Sequence, residues 1–166
     1  MTRFNEYRRI LGYSYLLYIV FIIPVSLIHE VGHIAICWAS GYQFEVWLDI
    51  RGGHSLCYEV FGNNQVMGVM GGIFGSLASL GILAVWYLSS KRLVPFAVVA
   101  FALLLDQGSK IILEGFFPRL YSDGNFDLLI TISQVISVAL FAVYFARRQR
   151  PEGSQLYMSR QSKLDA

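Results

Sequence analysis

Three residues stand at a spacing that can do chemistry: His29, Glu30 and His33, inside the apolar stretch Ser26–Trp38, SLIHEVGHIAICW. On a helix, residues four apart share a face, so the two imidazoles can point at one metal ion. Zinc accepts such nitrogens at about 2.0–2.1 Å. Glu30 sits beside the metal without having to bind it, and from there it can take a proton from a bound water. A histidine in an apolar helix is more often a satisfied core residue, and a glutamate there half of an ion pair. Here the chain has 3 histidines in all, and two of them bracket a glutamate at ligand spacing. Ionisable groups inside a membrane span also cost about 2.5–3.5 kcal/mol each for Asp, Lys and Arg on insertion scales, which argues for function over accident.

A catalytic zinc site needs a third protein ligand and an open position. Asp123, just ahead of the last apolar run, is the first candidate and Asp106 the second. The plain alternatives are a helix N-cap for Asp123 and an i, i+4 pair with Lys110 for Asp106. His54 could reach the site from a loop, where a histidine is more often solvated. Cys37 lies four residues after His33 and could add a ligand, a small buried thiol being the simpler reading. Cys37 and Cys57 form no C-x-x-C pair and say little about redox compartment.

The elements that must position these groups are apolar. Of the 166 residues, 55% are hydrophobic and 14% charged, against about 25% charged in an average soluble domain. The apolar residues are gathered into runs long enough to cross a bilayer. The fold expected is an all-α polytopic membrane protein with about four transmembrane helices and a short β-hairpin between the first and second. A net charge of +2, with no basic patch interleaved with aromatics, argues against nucleic acid as a partner.

The apolar run Ile10 to Ile28 is too long for a signal-peptide core, so the first span, about Leu11 to Trp38, reads as uncleaved. Pro24 predicts a kink before the metal motif. The motif lies five to nine residues before Trp38, which puts the metal roughly 10 Å below the nearer interface. Gly41 ends the helix. Tyr42 to Ile50 then alternates apolar and polar, Gly52-Gly53 is a turn candidate, and His54 to Phe61 returns. This hairpin is either a lid or a free edge for an extended peptide. Val66 to Ser89 is the second span. Its Gly68, Gly71, Gly72, Gly75, Ser76, Ala78 and Ser79 are packing residues for the first span rather than a phosphate loop. A third span starts near Val94 and meets Asp106 to Lys110, where it could tilt, break or re-enter. Pro118 and Gly124 mark irregular backbone, and Phe126 to Ala146 is the fourth span. Residues 1–146 form the membrane-embedded domain and 147–166 a polar tail.

His29-Glu30-Val31-Gly32-His33 late in an apolar helix, the short hairpin, the glycine-rich second span and Pro118 to Gly124 (Pro-x-x-x-x-Asp-Gly) together resemble the site-2 protease family of intramembrane zinc metallopeptidases. The resemblance covers roughly Ile10 to Phe145 and is to the small branch without a PDZ insert. It implies one Zn2+ per chain on His29, His33 and Asp123, with Glu30 as the base. The substrate it implies is a membrane-spanning protein, locally unwound and cleaved within or near the bilayer. Gly115 stands where the family often has an Asn three residues before the proline, and Asn125 is a weak substitute, with His54 a further substrate contact. A single Gly follows the Asp where many members have two. The runner-up function is a non-proteolytic metal-binding membrane protein of the same fold that acts through partner binding. A lipid-modifying metalloenzyme would need more His or Asp clusters, and a purely structural bundle would bind no metal.

With four spans both termini share a side. Ten of the 13 Lys and Arg residues fall there: Arg3, Arg8, Arg9, Lys91, Arg92, Arg147, Arg148, Arg150, Arg160 and Lys163. The other side has Arg51, Lys110 and Arg119. The positive-inside rule therefore puts the termini in the cytoplasm and the site near the outer face, whereas the resemblance often implies a site nearer the cytoplasm. The localisation expected is integral and multi-pass, in a bacterial-type inner (plasma) membrane ahead of an organelle membrane.

Overall fold

Four helices are long and apolar enough to cross a membrane. The computed structural model describes residues 3–49, 52–58, 65–89, 93–122 and 126–148. In chain order they are α1 (Arg3–Ala39), β1 (Phe44–Asp49), β2 (Gly52–Cys57), α2 (Gln65–Leu88), α3 (Val94–Phe116), the short α4 (Pro118–Ser122) and α5 (Asp127–Arg148). The expected all-α membrane architecture and its hairpin are therefore present. The polar tail beyond residue 148 lies outside the described residues.

At about 1.5 Å per residue, the 37 residues of α1 exceed the roughly 30 Å hydrocarbon core of a bilayer. The helix runs unbroken through Pro24. It stops at Gly41, which adopts φ 77°. The Tyr42 N–H donates to the Cys37 carbonyl at 3.1 Å and the Gly41 N–H to the Trp38 carbonyl at 3.0 Å. That is a Schellman ending, and the left-handed residue it needs is cheapest as glycine.

α3 is the central helix. It packs against α1, α2 and α5, and 44% of its apolar stretch is buried, against 17%, 28% and 22% in the other three. Ala97, Val98, Val99, Ala100 and Leu103 are fully enclosed. α1 and α5 instead present Leu16, Ile19, Val20, Ile23, Leu129, Ile132 and Leu140 outward, as lipid-facing helices do. The third span is thus one unbroken helix long and apolar enough to cross, and its Asp106 and Gln107 are buried against protein. Small residues of α2 serve two neighbours: Gly32 of α1 has the Met70 backbone where a side chain would go, and a Cβ on Gly68 would meet the Glu114 carbonyl at 2.5 Å. The glycines therefore draw α2 against α3 as well as against α1, the neighbour expected from sequence.

The strands pair antiparallel, Phe44 opposite Cys57 and Asp49 opposite Gly52. The connection is thus residues 50–51, outside the described residues, and Gly52-Gly53 belongs to β2 rather than to the turn. Gly53 is small for a packing reason: a Cβ there would lie 2.8 Å from Glu30 Cγ. A two-stranded hairpin is marginal alone. This one is bolted to α1 by a Cys37–Cys57 disulfide, so neither cysteine is a free thiol or a metal ligand.

Candidate metal centre

α1 presents His29 and His33 one turn apart, with their Nε2 atoms 3.1 Å from each other. Both are fixed from behind. His33 Nδ1 donates to the Met67 carbonyl of α2 at 2.7 Å. A carbonyl only accepts, so Nδ1 carries a hydrogen, and the neutral ring then has its lone pair on Nε2. His29 Nδ1 faces the Gln107 side-chain oxygen of α3 at 2.7 Å. A carboxylate closes the group: Glu114 Oε2 lies 3.1 Å from His29 Nε2 and 3.2 Å from His33 Nε2. Gln107 and Glu114 are seven residues apart, two turns on one face of α3, so they bracket the His29 ring from its two nitrogens.

Three ligand atoms thus form a triangle with edges of 3.1, 3.1 and 3.2 Å. Three corners of a tetrahedron around zinc, at about 2.0–2.1 Å from each, would be about 3.3 Å apart. With both rings neutral and their hydrogens on Nδ1, two imidazole lone pairs and a carboxylate converge, an arrangement that a divalent cation can satisfy. Space for it comes from α2. A Cβ built on Gly71 would lie 2.7 Å from His29 Nε2 and nearer still to His33 Nε2. The missing side chain leaves a cradle over both nitrogens. The donor set and the cradle fit a small cation that takes nitrogen and oxygen ligands, such as zinc.

Glu30 is buried beside the two histidines, and ligand atoms of the three residues lie within 4.8 Å of one another. Ser55 of β2 donates to its Oε2 at 2.6 Å. The hairpin therefore seats the carboxylate through Oε2. Tyr121 of α4 is half-buried and reaches Glu114. Burial pushes its phenol pKa well up, helped by the charge of Glu114 and a hydrogen bond to it, so it remains a neutral donor.

Of the residues expected from sequence, His29, Glu30 and His33 come together. Asp123 and Asn125 lie outside the described residues. Asp106 is committed elsewhere: its oxygens accept from Gln107 Nε2 at 2.9 Å and Gln134 Nε2 at 2.8 Å, and Lys110 Nζ is 3.4 Å away. The i, i+4 pair expected as its plain alternative is present. His54 stacks on Trp47 with ring centroids 5.4 Å apart. Gly115 has no room for the Asn of the resembled family, since a Cβ there would meet Val69 Cγ2 at 2.5 Å.

Sequence reasoning missed Glu114 and Gln107. The signal was present: Glu114 is an intramembrane carboxylate and so a functional candidate by default, but it is easily passed over inside the run Ile111 to Phe117. No family model, curated protein or solved structure matches the chain.

Proposed function

We propose that this protein is an intramembrane zinc metalloprotease that hydrolyses peptide bonds of membrane-spanning proteins. The observation that carries the reading is the convergence of His29 Nε2, His33 Nε2 and Glu114 Oε2 on one point beside Glu30. His29, His33 and Glu114 would hold the metal, with Asp123 as the rival third ligand that the resemblance implies. A divalent metal held there supplies Lewis acidity, which makes a water nucleophilic near neutral pH and polarises a carbonyl.

The rest falls to the chain's own residues. Glu30 Oε1 takes the proton of the attacking water and returns it to the leaving amine. Ser55 holds Oε2 and keeps the carboxylate aimed. Tyr121, hydrogen-bonded to Glu114, offers a further donor beside the site. A strand edge of the hairpin can pair with an unwound substrate segment and present its peptide bond.

We further propose that the site opens to the exoplasmic side. Disulfides persist in oxidising compartments, and Cys37–Cys57 lies at the hairpin end of α1. The Lys and Arg distribution points the same way. Membrane-impermeant maleimide on intact cells should label Cys37 and Cys57 only after an impermeant reductant. Labelling without reductant would overturn the orientation argument.

The deciding test is zinc content together with hydrolysis of a membrane-spanning protein in detergent or vesicles. Wild type should hold about one zinc per chain, and Glu30→Gln should keep it while losing hydrolysis by about 10²–10⁴-fold. No zinc in folded wild type would overturn the reading. Zinc kept by Asp123→Ala but lost by Glu114→Ala assigns the third ligand to Glu114.

A further inference from the structure

His29 can offer its Nε2 lone pair to a metal only if its hydrogen sits on Nδ1, and the group facing Nδ1 is an amide. A glutamine amide is ambiguous. Its oxygen would accept from Nδ1–H, whereas its NH2, turned the other way, would donate to a bare Nδ1 and force the hydrogen onto Nε2. Something must decide which way Gln107 faces.

Resting on the metal-centre reading above, we propose that Asp106 is a positioning residue for that centre, acting through Gln107 to fix the tautomer of His29. The Asp106 carboxylate accepts and does not donate. Its Oδ2 lies 2.9 Å from the Gln107 amide nitrogen, so the NH2 must face Asp106. The amide oxygen is then left facing His29, at 2.7 Å from Nδ1. That requires Nδ1–H, so the neutral ring carries its lone pair on Nε2, 3.1 Å from Glu114 Oε2.

The relay is built to hold one direction. Asp106 Oδ1 is occupied by Gln134 Nε2 of α5 at 2.8 Å, and Lys110 Nζ stands 3.4 Å from Oδ2. Both are donors, so the carboxylate has no reason to turn. Gln107 is 1% exposed. Gly75 of α2 gives it room, because a Cβ there would overlap the amide oxygen. A chain of fixed polarity thus runs from α5 through α3 to the ring on α1. Partners at this remove typically change metal affinity by about 10–100-fold.

The test exchanges the roles of acid and amide. Asp106→Asn keeps the shape but lets position 106 donate or accept, so Gln107 can turn. The double variant Asp106→Asn with Gln107→Glu restores a single polarity: the amide introduced at position 106 donates its NH2 to the carboxylate introduced at position 107, and that carboxylate can only accept from His29 Nδ1–H. Lys110 loses its carboxylate partner at 106 in both variants, so that loss cancels between them. Two readouts are taken on purified protein: the 15N shifts of the His29 ring without metal, and zinc affinity by chelator competition. Asp106→Asn should give mixed tautomers and zinc binding about 10–100-fold weaker. The double variant should recover the wild-type shifts and come within a few-fold of wild-type affinity. Gln134→Met, which removes only the α5 donor, should lower stability without moving the tautomer.

Wild-type shifts in Asp106→Asn, or mixed tautomers in a folded double variant, would overturn the relay. Should Asp106→Asn fail to fold, the double variant decides alone by the same shifts. If wild type binds no zinc, the metal reading fails while the ring nitrogens still decide whether Asp106 sets the tautomer.

Discussion

α3 carries two carboxylates into the bundle, eight residues apart, and they are held in opposite ways. Asp106 meets only donors: two amides and an ammonium within 3.4 Å. Its side chain is 1% exposed, and its charge and lone pairs are answered by protein. Glu114 meets the Tyr121 phenol and two imidazole Nε2 atoms that, in neutral rings with their hydrogens on Nδ1, are themselves acceptors. One cluster is answered by protein donors, and the other gathers donor atoms that fit a cation. The comparison shows what separates a metal centre from a buried ion pair. Proximity of acids and bases is common to both, and convergence of lone pairs beside an open cradle belongs to one.

The comparison breaks most sharply if the carboxylates are removed in turn. Glu114→Ala should lose bound zinc and hydrolysis, by at least about 10³-fold since the metal itself goes, yet stay folded. Asp106→Ala should do the converse. It leaves the half-buried Lys110 without its partner and should cost up to about 3–5 kcal/mol of stability, while zinc still binds when supplied in excess. Zinc content and thermal unfolding of the two variants check both halves. Equal losses of stability with zinc retained in both would erase the distinction.

Gly71→Ala probes the cradle without touching a ligand. The added methyl points at the Nε2 atoms of both histidines, so zinc and activity should fall together by about 10²-fold or more, a loss of about 2.7 kcal/mol or more in binding. The same substitution at Gly81, which has nothing within 4 Å of a built Cβ, should leave both unchanged. Retained zinc in Gly71→Ala would move the metal position elsewhere.

The Cys37–Cys57 bond closes a loop of 20 residues, so Cys57→Ser should cost about 2–4 kcal/mol. The hairpin carries Ser55, so activity should drop further than zinc binding does. Equal drops would mean that the hairpin supports the bundle and not Glu30.

How far the sequence was legible follows from where the information lies. The four spans, the hairpin and the His29–Glu30–His33 face were readable because each is local: a run length, an alternation, a spacing along one helix. The third span reads as doubtful because Asp106 to Lys110 looks unfit for lipid. It is fit because Asp106 and Gln107 are buried against the other helices, a tertiary fact. Glu114 escapes notice because its partners sit more than 80 residues upstream on another helix. The disulfide is hidden for a like reason. Cys37 and Cys57 are near only once Gly41 turns the chain back and β2 returns along α1.

The smallest effect expected lies at the exposed end of the comparison, where a carboxylate meets a donor in water rather than in the bundle. A hydrogen bond to Glu45 raises the pKa of the Tyr58 phenol above its usual value of 10.0, with slight further contributions from desolvation and the charge of Glu45. The sign follows directly. The neutral phenol donates and the phenolate cannot, so the link is present below the ordinary tyrosine pKa and is lost as pH rises through the raised one. Both side chains are exposed, so solvent screens the pair and stability should barely change. A 13C titration of Tyr58 should show the raised value and its return towards normal in Glu45→Gln. Unlike Glu114, Glu45 is exposed and has water for its remaining lone pairs. Its removal should therefore leave zinc content and hydrolysis at wild-type levels, and a loss of either would mean that β1 contributes to the site directly.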